Sequence, residues 1–145
     1  MEILPGTAPV YANLLGLVAG ARQPLECTYL VFTLRPEALE RLKHHWENIP
    51  AARRESFSGV TGLCRDQNGL LVGSRFPSDP LDCSAAELEY RHKVRGEKWG
   101  FLRVDVLRQF PYPEDVPGNF IPESYIWCQV SKHYVTRHIN EELRI

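Results

Sequence analysis

Residues 27–33 read CTYLVFT and residues 36–50 read PEALERLKHHWENIP. The first run is β-branched and aromatic, the composition of a buried strand. In the second, Pro36 opens a helix at its first turn, where a missing N–H costs nothing. Leu39, Leu42, Trp46 and Ile49 recur at helical spacing and make one apolar stripe, which Pro50 ends. A strand followed at once by an amphipathic helix is the unit from which α/β domains are assembled.

The pattern continues outward. AARRES (51–56) reads as a loop into FSGVTGLCR (57–65), a strand with small residues on one face. Asp66-Gln67-Asn68-Gly69 then separates it from LLVGSRF (70–76), a hairpin signal. PSDPLD (77–82) reads as loop. Ser84-Ala85-Ala86-Glu87 has the form of a capping box and predicts a helix to about Val94. KWGFLRV (98–104) reads as a strand, with Asp105 as N-cap of a short helix that Pro111 closes. PYPEDVPGN (111–119) is loop. Pro122 opens a last helix over PESYIWCQVSKHY, and VTRHIN (135–140) is a strand. Helices and strands thus mix along the chain, and the predicted fold is α/β, a mixed sheet with helices.

Size and charge narrow the function classes. The chain has 145 residues, 43% of them apolar, and 17 basic against 18 acidic groups. That balance fits one globular domain and lacks the basic excess of a nucleic-acid binder, so no nucleic-acid partner is expected. The uncharged stretch from Ile3 to Ala21 holds Pro5, Gly6, Pro9 and Gly16, and its dense apolar part, Val10–Ala21, is too short to span a bilayer. Only Glu2 precedes it, where a signal peptide carries Lys or Arg. It reads as a short buried or surface-lying helix. Cys27, Cys64, Cys83 and Cys128 lie 37, 19 and 45 residues apart, without metal-knuckle or redox spacing, and read as reduced thiols of an intracellular protein.

Few motifs carry chemistry outright. Adjacent His44 and His45 lack the i,i+4 spacing of a helical metal pair and read as solvated helix residues. His92, His133 and His138 are scattered, and no GxSxG, GxGxxG or GxxxxGK sequence occurs.

The C-terminal third is more telling. It reads RGEKWGFLRVDVLR (95–108), then FPYPE (110–114), FIPESYIW (120–127) and YVTRHINEELRI (134–145). This series resembles the acceptor side of bacterial family 2 glycosyltransferases, enzymes of the GT-A fold that build polysaccharides. PEALERLKHHW resembles the helix that follows the metal-binding acids in that family. The resemblance covers Thr28 to Ile145, leaving residues 1–27 as an atypical N-terminal segment ahead of a single partial glycosyltransferase-like domain. It implies transfer of a sugar from a nucleotide-diphosphate donor to a carbohydrate acceptor. Glu123 falls where the family carries the acid that deprotonates the acceptor hydroxyl, because an alcohol is a poor nucleophile until its proton is withdrawn. A Glu after a helix-opening Pro also suits the macrodipole with no catalytic role. Glu97, Lys98 and Arg103 match charged positions near the family's acceptor site, and Trp99 would offer an apolar platform for a sugar. A solvated loop and a half-buried strand aromatic are the alternatives.

The departures are as specific. Family members end a strand with Asp-x-Asp, which holds a divalent cation such as Mn or Mg against the donor diphosphate. Here the strand runs into Thr33-Leu34-Arg35, and the first aspartate is Asp66. The nucleotide-binding half has no room in 27 residues. The expectation is therefore an incomplete or inactive glycosyltransferase-like chain with no metal-binding or cofactor-binding residues of its own. It would meet a nucleotide-sugar donor only if the missing half were supplied, and its exposed sheet edges would favour self-association. The expected location is cytoplasmic or peripheral at the inner face of the membrane. The second expectation is a non-catalytic binding or assembly module that keeps the acceptor-side shape.

Overall fold

The computed structural model describes residues 2–3, 29–31, 36–113, 122 and 124–144. In chain order its elements are β1 (Glu2–Ile3), β2 (Tyr29–Val31), α1 (Pro36–Glu47), a 3-10 helix (Ala51–Ser56), β3 (Phe57–Cys64) and β4 (Leu81–Cys83). They continue with α2 (Ala85–Tyr90), β5 (Lys98–Arg103), α3 (Val104–Gln109), α4 (Ser124–Val130) and β6 (Val135–Arg144).

β3 is the axis of the sheet because its small and β-branched residues let it be covered on both faces. Seven of its eight residues are buried. β5 lies antiparallel on one side, with Gly59 opposite Leu102 and Leu63 opposite Lys98. β6 lies parallel on the other, from Phe57 opposite Val135 to Cys64 opposite Arg144. Short β4 closes the β6 side, while β2 and then β1 extend the β5 side, giving the order β1-β2-β5-β3-β6-β4. The pairing directions make β2, β3 and β6 run one way and β1, β5 and β4 the other. The fold is α/β, with a four-strand mixed core of β5, β3, β6 and β4.

Side chains alternate across the sheet, so each strand feeds two cores. On one face Ala38 and Leu42 of α1 pack on Val60, Cys64, Trp99, Phe101, Ile139 and Leu143. Burial of each large side chain there contributes roughly 1.5–3 kcal/mol. Arg54 caps the C-terminal end of this helix, donating to the carbonyls of Glu47 (2.7 Å) and Ile49 (2.9 Å). On the other face Leu63 meets Phe76, Cys83, Leu88 and Val94, and Leu102 meets α3 and α4 through Val106, Leu107, Ile126 and Val130.

Several expectations are corrected. The hairpin after β3 shrinks to the turn at residues 66–69 and a single bridge between Arg65 and Leu71. Gly73, at φ 80°, turns LLVGSRF away from the sheet. The PSDPLD loop contains the start of β4, and AARRES is a 3-10 helix rather than a loop. The capping box at Ser84 and Glu87 is present in both directions, but α2 stops at Tyr90 rather than Val94. His92 N–H folds back on the Glu87 carbonyl and Lys93 takes φ 57°, which ends the helix. Arg103, not Asp105, is the N-cap residue of α3. α4 is shorter than PESYIWCQVSKHY, and β6 runs past Asn140 to Arg144. The predicted helix over Val10–Ala21 lies outside the described residues.

Candidate functional site

In open α/β sheets ligands settle outside the carboxyl ends of the parallel strands. Here that end is reached by Cys64 and Arg65 from β3, Glu142 and Arg144 from β6, and Glu97 and Lys98 at the start of antiparallel β5. Two loops frame it. Gly73 and Gly96, at φ 80° and 85°, let them cross so closely that a Cβ on Gly96 would stand 2.5 Å from the Gly73 Cα. Ser74 N–H donates to the Arg95 carbonyl (2.9 Å), and Arg95 N–H returns to the Ser74 hydroxyl (2.8 Å). Any side chain at residue 73 or 96 would force these backbones apart.

Lys98 fastens the crossing from beneath. Its ammonium donates to the carbonyls of Ser74 (3.0 Å) and Arg95 (2.8 Å) and lies 5.6 Å from the Phe76 ring centre. Burial pulls its pKa below the usual lysine value. Glu97 is exposed and accepts from Arg144 at 2.6 Å. Glu142 accepts from both Arg65 and Arg75, the latter at 2.7 Å. The Arg65 hydrogen bond holds this carboxyl below its ordinary range. The Cys64 thiol, pushed up by burial, feels the charges of Glu97, Arg144 and Lys98, so the three converge around the end of β3.

The five expected site residues therefore separate. Glu97 and Lys98 stand together at the carboxyl end. Arg103 lies five residues along the same strand, about 17 Å away and on the opposite face. There its guanidinium gathers the carbonyls of Arg54 (3.0 Å), Glu55 (3.2 Å) and Phe57 (3.1 Å) and pairs with Asp105. Trp99 is only 6% exposed and sits in the core under α1, where its indole N–H finds no partner among the described residues. It presents no open face for a sugar. The acceptor group read from sequence is thus not one cluster, because Arg103 stands at the other end of β5 and Trp99 is buried under α1. Glu123 lies outside the described residues.

A second polar cluster was not anticipated. Arg41 and His45, four apart on α1, both reach Glu141 of β6, with Arg41 Nε at 2.8 Å and His45 Nε2 at 2.7 Å. These hydrogen bonds, Arg41 first, hold the Glu141 carboxyl down at about 2. His45 is thus a paired residue, not a solvated one. The i,i+4 spacing of Arg41 and His45 was the available signal. Deeper in the sheet, Arg137 makes a two-pronged pair with Asp82, both contacts at 2.8 Å. His138 accepts from the Thr61 hydroxyl at Nδ1 (2.7 Å) and directs Nε2 at the Cys83 carbonyl (3.3 Å). Burial lowers its pKa to about 4, which makes it a neutral core histidine.

Among the described residues no group of three or more His, Cys, Asp or Glu could hold a metal ion, and no helix is long and apolar enough to cross a membrane. Cys64 and Cys83 are buried free thiols and Cys128 is an exposed one. Comparison with protein-family models, curated proteins and solved structures finds no match to this chain.

Proposed function

We propose that this chain is the acceptor-side part of a glycosyltransferase of the family 2 type, built to receive a carbohydrate at the carboxyl ends of β3 and β6. The observation that supports this most is the contact between Glu97 and Arg144 at 2.6 Å. Glu97 belongs to the GEKW segment and Arg144 to the NEELRI segment, 47 residues apart, and these are two separate pieces of the resemblance. Their meeting at the sheet end where ligands settle is what a shared acceptor site requires. A carboxylate held by an arginine is a fixed acceptor for sugar hydroxyls. Glu123, just before α4, is the residue proposed as base toward the acceptor hydroxyl.

The chain carries no Asp-x-Asp, so donor and cation binding would belong to a nucleotide-binding half beyond it. That same absence favours the second reading, a non-catalytic carbohydrate-binding or assembly module. Two titrations test the proposal. Calorimetry with nucleotide-diphosphate sugars and Mn²⁺ should show no micromolar, metal-dependent binding. Ligand-observed NMR with a panel of mono- and oligosaccharides should show contact that Glu97→Ala abolishes. Tight metal-dependent donor binding, or no carbohydrate contact at all, would refute it.

A further inference from the structure

We infer that Asn68 is a site of spontaneous covalent modification, converting through a cyclic imide to aspartate and isoaspartate. The inference stands independently of the carbohydrate reading. In the first step the Gly69 backbone nitrogen attacks the Asn68 side-chain carbonyl carbon. A C–N bond forms there and the bond to the side-chain amide nitrogen breaks, that nitrogen leaving as ammonia with the proton of the Gly69 N–H. Water then opens the ring at either of its carbonyls. One opening leaves aspartate, and the other routes the main chain through the former side chain as isoaspartate. Water is the only co-reactant.

Ring closure depends on how freely the next residue's nitrogen reaches the side chain. Asn13, Asn48, Asn119 and Asn140 precede Leu, Ile, Phe and Glu, whose side chains crowd that nitrogen, whereas Asn68 precedes a glycine. The fold sharpens the distinction. The Asn48 amide is bonded to His44 Nε2 (3.0 Å), and the Asn140 amide holds both the N–H (2.9 Å) and the carbonyl (3.0 Å) of Phe76. Asn68 is exposed, and its side-chain amide makes no hydrogen bond among the described residues. Gly69 N–H donates to the Asp66 carbonyl (2.9 Å), so the attack waits for the turn to open. Little packing resists that opening. A Cβ on Gly69 would meet, beyond its chain neighbours, only Arg65 Nη1 at 3.8 Å, and Leu70 is 65% exposed. Conversion also alters the sheet end. Arg65 donates to the Gly69 carbonyl (2.6 Å) as well as to Glu142, and isoaspartate lengthens the main chain just ahead of that carbonyl. Either product sets a new carboxylate two residues from Asp66.

The test incubates the whole folded chain in mildly alkaline buffer at body temperature for several weeks, followed by tryptic peptide mapping. The peptide Asp66–Arg75 should become about 1 Da heavier, as NH2 gives way to OH. It should do so in two separable forms, aspartate and isoaspartate, told apart by fragmentation along the backbone. The peptides carrying Asn48 and Asn140 should stay unchanged over the same time. Asn68→Gln, whose longer side chain closes a ring far less readily, should abolish the conversion. Asp66→Ala removes the acceptor that holds the N–H groups of Asn68 (2.8 Å) and Leu70 (2.9 Å). It should speed the conversion about fivefold, the weight of one such hydrogen bond, with a melting curve to show that the variant is folded. A parallel incubation in urea gives the rate of the open chain. A peptide that converts in urea and stays unchanged in the folded chain overturns the inference, as does conversion at Asn48 or Asn140 as fast as at Asn68.

Discussion

Glu141→Gln isolates the clamp that ties α1 to the far end of β6. In the folded chain the Glu141 carboxyl titrates near 2 against an ordinary 4.5, chiefly because Arg41 donates to it and then because His45 does. A group depressed on folding stabilises the native state above its unfolded pKa, and that stability is lost as pH falls through the folded value. The difference sets a ceiling of about 3 kcal/mol. About a quarter of the side chain meets water, and screening brings the expected contribution to about 1–2 kcal/mol. At pH 7 the variant should therefore melt lower by roughly 2–4 °C for each kcal/mol lost. Between pH 5 and 2 the wild type should lose this increment while the variant does not, so the two melting curves converge in acid. Glu87 and Glu142 are depressed as well, but they remain in both proteins and cancel in the difference. Thermal melts across that range, combined with Arg41→Met in a double-mutant cycle, provide the measurement. Equal stability at pH 7, or a gap that persists unchanged at pH 2, would refute the clamp.

Other consequences are as direct. Ser84→Ala removes the hydroxyl that caps the Glu87 N–H, while the backbone N–H of residue 84 still donates to the Glu87 carboxylate, and should cost about 1 kcal/mol in a denaturant melt. Gly96→Ala adds a Cβ 2.5 Å from Gly73 at φ 85°, so it should destabilise by about 1–3 kcal/mol and weaken saccharide binding together, read by melting and NMR. His138, neutral with a pKa of about 4, should leave its NMR ring signals unmoved from pH 8 to about 5, while its presence erodes stability as pH falls from 6.5 through 4.

The sheet was legible where strands and helices are long and uniformly patterned. KWGFLRV declared β5, the stripe of Leu39, Leu42 and Trp46 declared α1, and Ser84 with Glu87 marked the start of α2 to the residue. What sequence could not supply was the tertiary competition that ends elements. Gly73 looked like one more residue of a strand, yet its left-handed backbone serves the crossing with Gly96 and breaks the hairpin. Lys93, an unexceptional helix residue, adopts φ 57° because α2 must close before β5 begins.

The same competition decides where the residues picked out from the C-terminal third come to lie. Glu97 and Lys98 are consecutive in sequence and so share the end of the sheet where β5 begins. Trp99 and Arg103 were grouped with them by the resemblance, and the fold sets them apart, Trp99 in the core under α1 and Arg103 at the other end of β5. The Arg41–His45–Glu141 cluster joins residues almost a hundred positions apart. Only the i,i+4 spacing on α1 hinted at it, and the partner on β6 became visible once the helix was laid across the sheet.

The proposed transferase half is tested most directly by restoring what it lacks. A nucleotide-binding half carrying Asp-x-Asp, taken from an intact family 2 glycosyltransferase, would be fused ahead of Thr28, and sugar transfer from a nucleotide-diphosphate donor measured. The fusion should transfer sugar, and Glu123→Gln should lower turnover at least about a hundredfold, as loss of a general base does, with donor binding and melting temperature nearly unchanged. A fusion that folds and binds donor and metal yet transfers nothing, or transfers equally well with Glu123→Gln, would contradict the account.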